Sequence, residues 1–80
     1  MDINEVYIRM IEKLKAHNWQ DIVTIIENLN AGATTGSEAL MTTGHYLMGL
    51  KYTNPSTYEL IKGEISDYLK YCKNNGITIK

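Results

Sequence analysis

GATTGSEALM, residues 32–41, sets two glycines, three hydroxyl side chains and a glutamate directly ahead of an apolar helical pattern. Such a stretch is either the phosphate-cradling loop of an α/β fold or a turn that starts a helix. A P-loop requires GxxxxGK[ST] between a strand and a helix. Here the spacing from Gly32 to Gly36 is one residue short, no lysine follows Gly36, and the preceding segment reads as helix. An anion at the free N–H groups of the helix start would also meet the charge of Glu38 in the first turn. The stretch therefore reads as a turn and an N-cap, with Thr35 and Glu38 spaced as a capping box. That choice leaves helices on both sides and makes the fold all-α.

Working outward, four helices are predicted, at about residues 3–16, 19–30, 36–48 and 55–74, in one compact four-helix domain with a short extended C-terminal tail. Asp2 with Glu5 resembles a capping box, and Ile3, Val6, Tyr7, Met10, Ile11 and Leu14 recur at helical spacing. Asn18 is the expected N-cap of the second helix, with Asp21 in its first turn. Trp19, Ile22, Val23, Ile26 and Leu29 form its stripe, widened by Ile25, and Asn30 and Gly32 end it. The short break near residues 16–18 makes the first two helices neighbours. In the third helix Met41 and Met48, seven apart, read as core. Gly44 implies close approach of another helix, because a mid-helix glycine costs about 1 kcal/mol relative to alanine. Gly49 is the expected stop. Asn54-Pro55 opens the fourth helix, Ser56 with Glu59 being an alternative cap, and Asn74-Asn75-Gly76 closes it. Ile77 to Lys80 alternate but are too few for a sheet.

Composition narrows the function. Eighty residues make one domain, and a chain of this size buries only about 60–65% of its unfolded surface. A net charge of −1 lacks the basic excess of a dedicated nucleic-acid binder. Cys72 is the only cysteine, so no disulfide forms within the chain and no CxxC metal site exists. No run is apolar enough to span a membrane, and the N-terminus lacks a basic region followed by an apolar one, so no secretory signal is read. The expected location is the cytoplasm. Six tyrosines and no phenylalanine suit half-buried positions and interfaces.

No catalytic residue, metal or cofactor is expected. His17 and His45 are far apart in sequence, and two distant histidines offer fewer ligands than a metal site needs. His17 instead suits the C-terminal end of a helix dipole. Cys72 lies on the apolar side of the fourth helix and reads as a small buried hydrophobe. That helix carries the most informative asymmetry. At about 100° per residue, Ile61, Ile65, Tyr68 and Cys72 define the core direction. Leu60, Glu64, Asp67 and Tyr71 share one flank, and Lys62, Lys70 and Lys73 the other. The flank of Leu60, Glu64, Asp67 and Tyr71, with the adjoining Tyr68, is the candidate partner-binding ridge. Tyr71 would be its anchor and the carboxylates its steering charges.

ATTGSEALM, between two helices, resembles a TGSE/TGTE-x-L-M stretch of small helical immunity proteins encoded beside bacterial polymorphic toxins of the contact-dependent or Rhs type. The resemblance covers about ten residues plus the size and helical layout. It implies a cytoplasmic inhibitor that binds the C-terminal domain of a cognate toxin, often a nuclease, and neutralises it by stoichiometric occlusion. Such a chain would be a monomer awaiting its partner, with no membrane or direct nucleic-acid contact. Two other readings stay open. Helices three and four, with LKYTNPS between them, form a helix-turn-helix with an overlong connection. Alternatively, the chain is a self-associating structural subunit.

Overall fold

Local chemistry at the helix ends sets the four elements, and three of those ends differ from expectation. The structure, a computed structural model, describes residues 2–79. Helix α1 spans Ile3–Ala16, α2 Gln20–Ala31, α3 Gly36–Thr53 and α4 Pro55–Asn74. Among the described residues there is no strand. At the start of α1 the Asp2 carboxylate accepts from the Asn4 N–H at 2.9 Å.

Asn18 does not cap α2. It sits at φ 62° just past α1, the left-handed position that a Schellman motif requires. Its N–H donates to the Lys15 carbonyl at 3.1 Å and the Trp19 N–H to the Leu14 carbonyl at 2.9 Å, closing α1. Asparagine serves this C′ position as well as the N-cap, so residue type alone did not separate the two. Trp19 is the N-cap of α2 and makes no side-chain cap hydrogen bond. The helix ends at Gly32, whose φ of −82° is ordinary right-handed backbone.

At α3 the predicted capping box is half formed. The Thr35 hydroxyl accepts from the Glu38 N–H at 3.1 Å, while the Glu38 carboxylate accepts from the Thr34 hydroxyl at 2.8 Å. The helix passes through Gly49 and runs five residues beyond the expected end at 48, to Thr53. What stops it is Pro55, which disfavours helical backbone at the preceding residue. Asn54 accordingly lies at φ −150°, ψ 76°, and its side chain caps α4 by accepting from the Thr57 N–H at 3.3 Å. One residue therefore joins α3 to α4, too few for the turn of a helix-turn-helix. Helix α4 leaves helical geometry at Ile61 (φ −113°, ψ 17°). A second Schellman motif ends it, with Gly76 at φ 72° and the Ile77 N–H donating to the Cys72 carbonyl at 2.9 Å.

The helices pack as a ring, each against its sequence neighbours, with α4 closing on α1. The backbones of α1 and α3 do not approach each other closely. Val6, Met10, Leu14, Val23, Ile26, Leu47, Ile61 and Cys72 fill the centre at zero exposure. Two threonines are buried with them. The Thr43 hydroxyl reaches the Asn30 side-chain oxygen at 3.5 Å, while the Thr57 hydroxyl has no partner. The neighbour that Gly44 accommodates is mainly the C-terminal tail rather than a helix. A Cβ at Gly44 would lie 2.7 Å from the end of the Ile79 side chain, and 3.6 Å from Leu69 of α4. Ile77 and Ile79 both pack on the core.

Candidate protein-docking surface

Two residues of the predicted ridge on α4, Glu64 and Tyr68, lie beside α1. Tyr68 is only 2% exposed and is one of the largest side chains of the core. Burial pushes its phenol up to about 12, with the neighbouring Thr43 hydroxyl acting in the opposite direction. It belongs to the core and cannot anchor a partner. Glu64 accepts from the Lys13 ammonium of α1 at 2.9 and 3.0 Å, and its side chain is 12% exposed. Such a partly exposed pair contributes at most about 1 kcal/mol, but it ties the carboxylate to α1. Leu60 packs half-buried against the core. Asp67 and Tyr71 are half-buried, leaving only their outer edges to solvent. Helical periodicity groups the residues of α4 that share a flank, but nothing local to α4 says which flank another helix covers.

Among the described residues, most of the exposed large apolar side chains lie on α3 instead, the others being Ile8 of α1 and Ile25 of α2. Met41 and Met48, expected in the core, are 37% and 45% exposed, and Tyr52 is 81% exposed. With His45 they form one outward stripe at spacings of four, three and four. Two open grooves flank it. The groove toward α2, about 470 Å³, is lined by Ile25, Leu29, Met41, Thr42, His45 and Tyr46. The one toward α4, about 440 Å³, brings Met48, Tyr52, Tyr58 and Leu69 together with Lys51. Past Met48 and Leu69 it continues to Lys73 and Ile77.

Helix α3 carries only Glu38, Lys51 and His45 as titratable groups apart from its tyrosines. A helix apolar on nearly all sides is normally enclosed, yet α3 packs on α2, α4 and the C-terminal tail and turns its outer face to solvent. Gly49 reinforces the point. It lines the α4-side groove, and a Cβ there would meet nothing within 4 Å. The roughly 1 kcal/mol that a mid-helix glycine costs is therefore unexplained by packing within the chain.

Charges divide along this face. On the α2 side stand carboxylates: Glu38 borders the groove end that contains Leu29 and Thr42, and Asp21 lies near Tyr46. The Tyr46 phenol is pushed up by burial and then by that Asp21 charge. On the α4 side stand the ammonium groups of Lys51 and Lys73. The signal was present in the sequence as the near-absence of charge across residues 39–50. Reading the methionines as core concealed it.

Elsewhere the side chains have local roles. His17 caps α1, its Nδ1 3.0 Å from the Lys13 carbonyl. Cys72 is fully buried with its sulfur 4.0 Å from the Leu40 carbonyl, and burial raises its thiol above the ordinary range. No cluster of three or more metal-ligating side chains occurs among the described residues. No helix there is long and apolar enough to cross a membrane. The fold and this surface define a small all-α domain with an uncovered apolar face on α3. No protein-family model, curated protein or solved structure matches the chain.

Proposed function

We propose that the chain is a non-catalytic protein-binding domain whose α3 face docks a partner. In its most specific form it is an immunity protein that covers a cognate toxin domain, of nuclease type, by stoichiometric occlusion. The observation that carries the binding reading is the uncovered stripe of Met41, His45, Met48 and Tyr52 between two apolar grooves. Exposed apolar patches rimmed by polar groups mark interaction sites, and Met and Tyr suit adaptable contacts there. The toxin reading rests on the resemblance of ATTGSEALM to immunity proteins. A net charge of −1 and the single-residue joint between α3 and α4 weigh against a nucleic-acid regulator.

Co-expression with the toxin domain encoded beside it provides the test. The expected result is cell survival and recovery of a one-to-one complex. Met48→Glu should weaken that complex by about 1–3 kcal/mol, the range for a central contact, with unchanged helicity. Asp67→Lys and Tyr71→Ala examine the α4 flank in parallel. Loss of binding in those two, with Met48→Glu unaffected, would move the interface to α4. Toxicity undiminished by the wild-type chain would reject the immunity reading.

A further inference from the structure

Resting on the reading of the α3 face as a docking surface, we infer that in the absence of another partner this face closes on a second copy of the chain, α3 running parallel to α3 about a two-fold axis.

Three observations converge on that occupant. The stripe Met41, His45, Met48, Tyr52 has the alternating four-and-three spacing with which paired helices present a seam to each other. The exposed stripe runs from Met41 to Tyr52, about 16 Å along α3 at about 1.5 Å per residue, and apolar grooves flank it on both sides. The third is charge. Two-fold pairing with the α3 helices antiparallel lays the carboxylate edge of each copy over the same edge of the other, and the lysine edge over lysine. Parallel pairing turns one copy so that Asp21 and Glu38 lie over the edge carrying Lys51 and Lys73. Only the parallel arrangement is complementary. Gly49, which no group in its own chain crowds, gives the second copy room beside Met48. Another protein that binds the α3 face then competes with self-pairing.

Sedimentation equilibrium between 1 and 300 µM reads the association directly. The expected result is a reversible dimer whose dissociation constant rises at least tenfold in Met48→Glu, with an unchanged circular dichroism spectrum. The double change Asp21→Lys with Glu38→Lys should also weaken the dimer tenfold or more. Adding Lys51→Glu and Lys73→Glu should restore most of that loss, because the complementarity is reversed rather than removed. A wild-type chain monomeric at 300 µM overturns the inference, as does a dimer untouched by Met48→Glu. A dimer that the charge reversals leave unaffected overturns the parallel arrangement. The docking reading fails separately, if Met48→Glu leaves both the dimer and the toxin complex unaffected.

Discussion

At Thr57 the fold keeps a buried hydroxyl without a partner. The residue contributes to the start of α4 through its backbone N–H, which the Asn54 side chain accepts, and not through its own oxygen. Valine has the same branched shape and no polar atom to bury. Leaving a buried polar group unsatisfied costs about 1–3 kcal/mol, whereas an apolar group of the same shape avoids that cost. Thr57→Val is therefore expected to stabilise the domain by about 1 kcal/mol, read as a higher urea midpoint at constant slope. A lower midpoint would mean that the hydroxyl is satisfied by bound water. Asn18 shows the complementary lesson at this scale. The residue type was recognised as structure-setting, but the same side chain suits both ends of a helix, and only the φ of 62° assigns it to the end of α1.

Among the elements, α3 departs furthest from its sequence reading, and each departure has a physical cause. Gly49 failed to stop it because glycine permits left-handed backbone without requiring it, and Gly49 stays in the helix. Its methionines were assigned inward from spacing alone, but spacing fixes which residues share a face and not which face is covered. The fold class, the four helices, the Thr35 and Asn54 caps and the burial of Cys72 were legible, because each depends on neighbours within one turn or on a sustained apolar stripe. The docking surface was not, because it depends on which helices are absent from one side of α3. Gly44 supplies a test at this scale. Alanine there gains about 1 kcal/mol of helix propensity but displaces the Ile79 side chain, 2.7 Å from the new methyl. In a chain truncated after Gly76, Gly44→Ala should recover most of that gain. In the full chain the gain should be smaller, the difference being read by a thermal double-mutant cycle. Equal effects in both backgrounds would show that the tail does not press on Gly44.

For the whole molecule, the ring arrangement matters more than any single helix. Each helix touches two others, and α4 closes the circle on α1. Ile3 shares a surface pocket with Leu40 and Tyr68, while Ile79 meets Gly44, one turn further along α3, and Gly44 also approaches Leu69. Both ends of the described chain thus come to the same part of α3. Chain order is then only one way to travel round the circle. A permuted gene that joins residue 79 to residue 2 through a short flexible linker, and opens at Asn54, keeps every helix pair in place. It loses only the Asn54 cap, worth about 1 kcal/mol. The permutant should fold to the same helical content with a modestly lower melting temperature. Because its new ends lie beside Tyr52, it would also carry a fluorophore or a fused domain to the rim of the apolar face, making that face addressable without altering a residue on it.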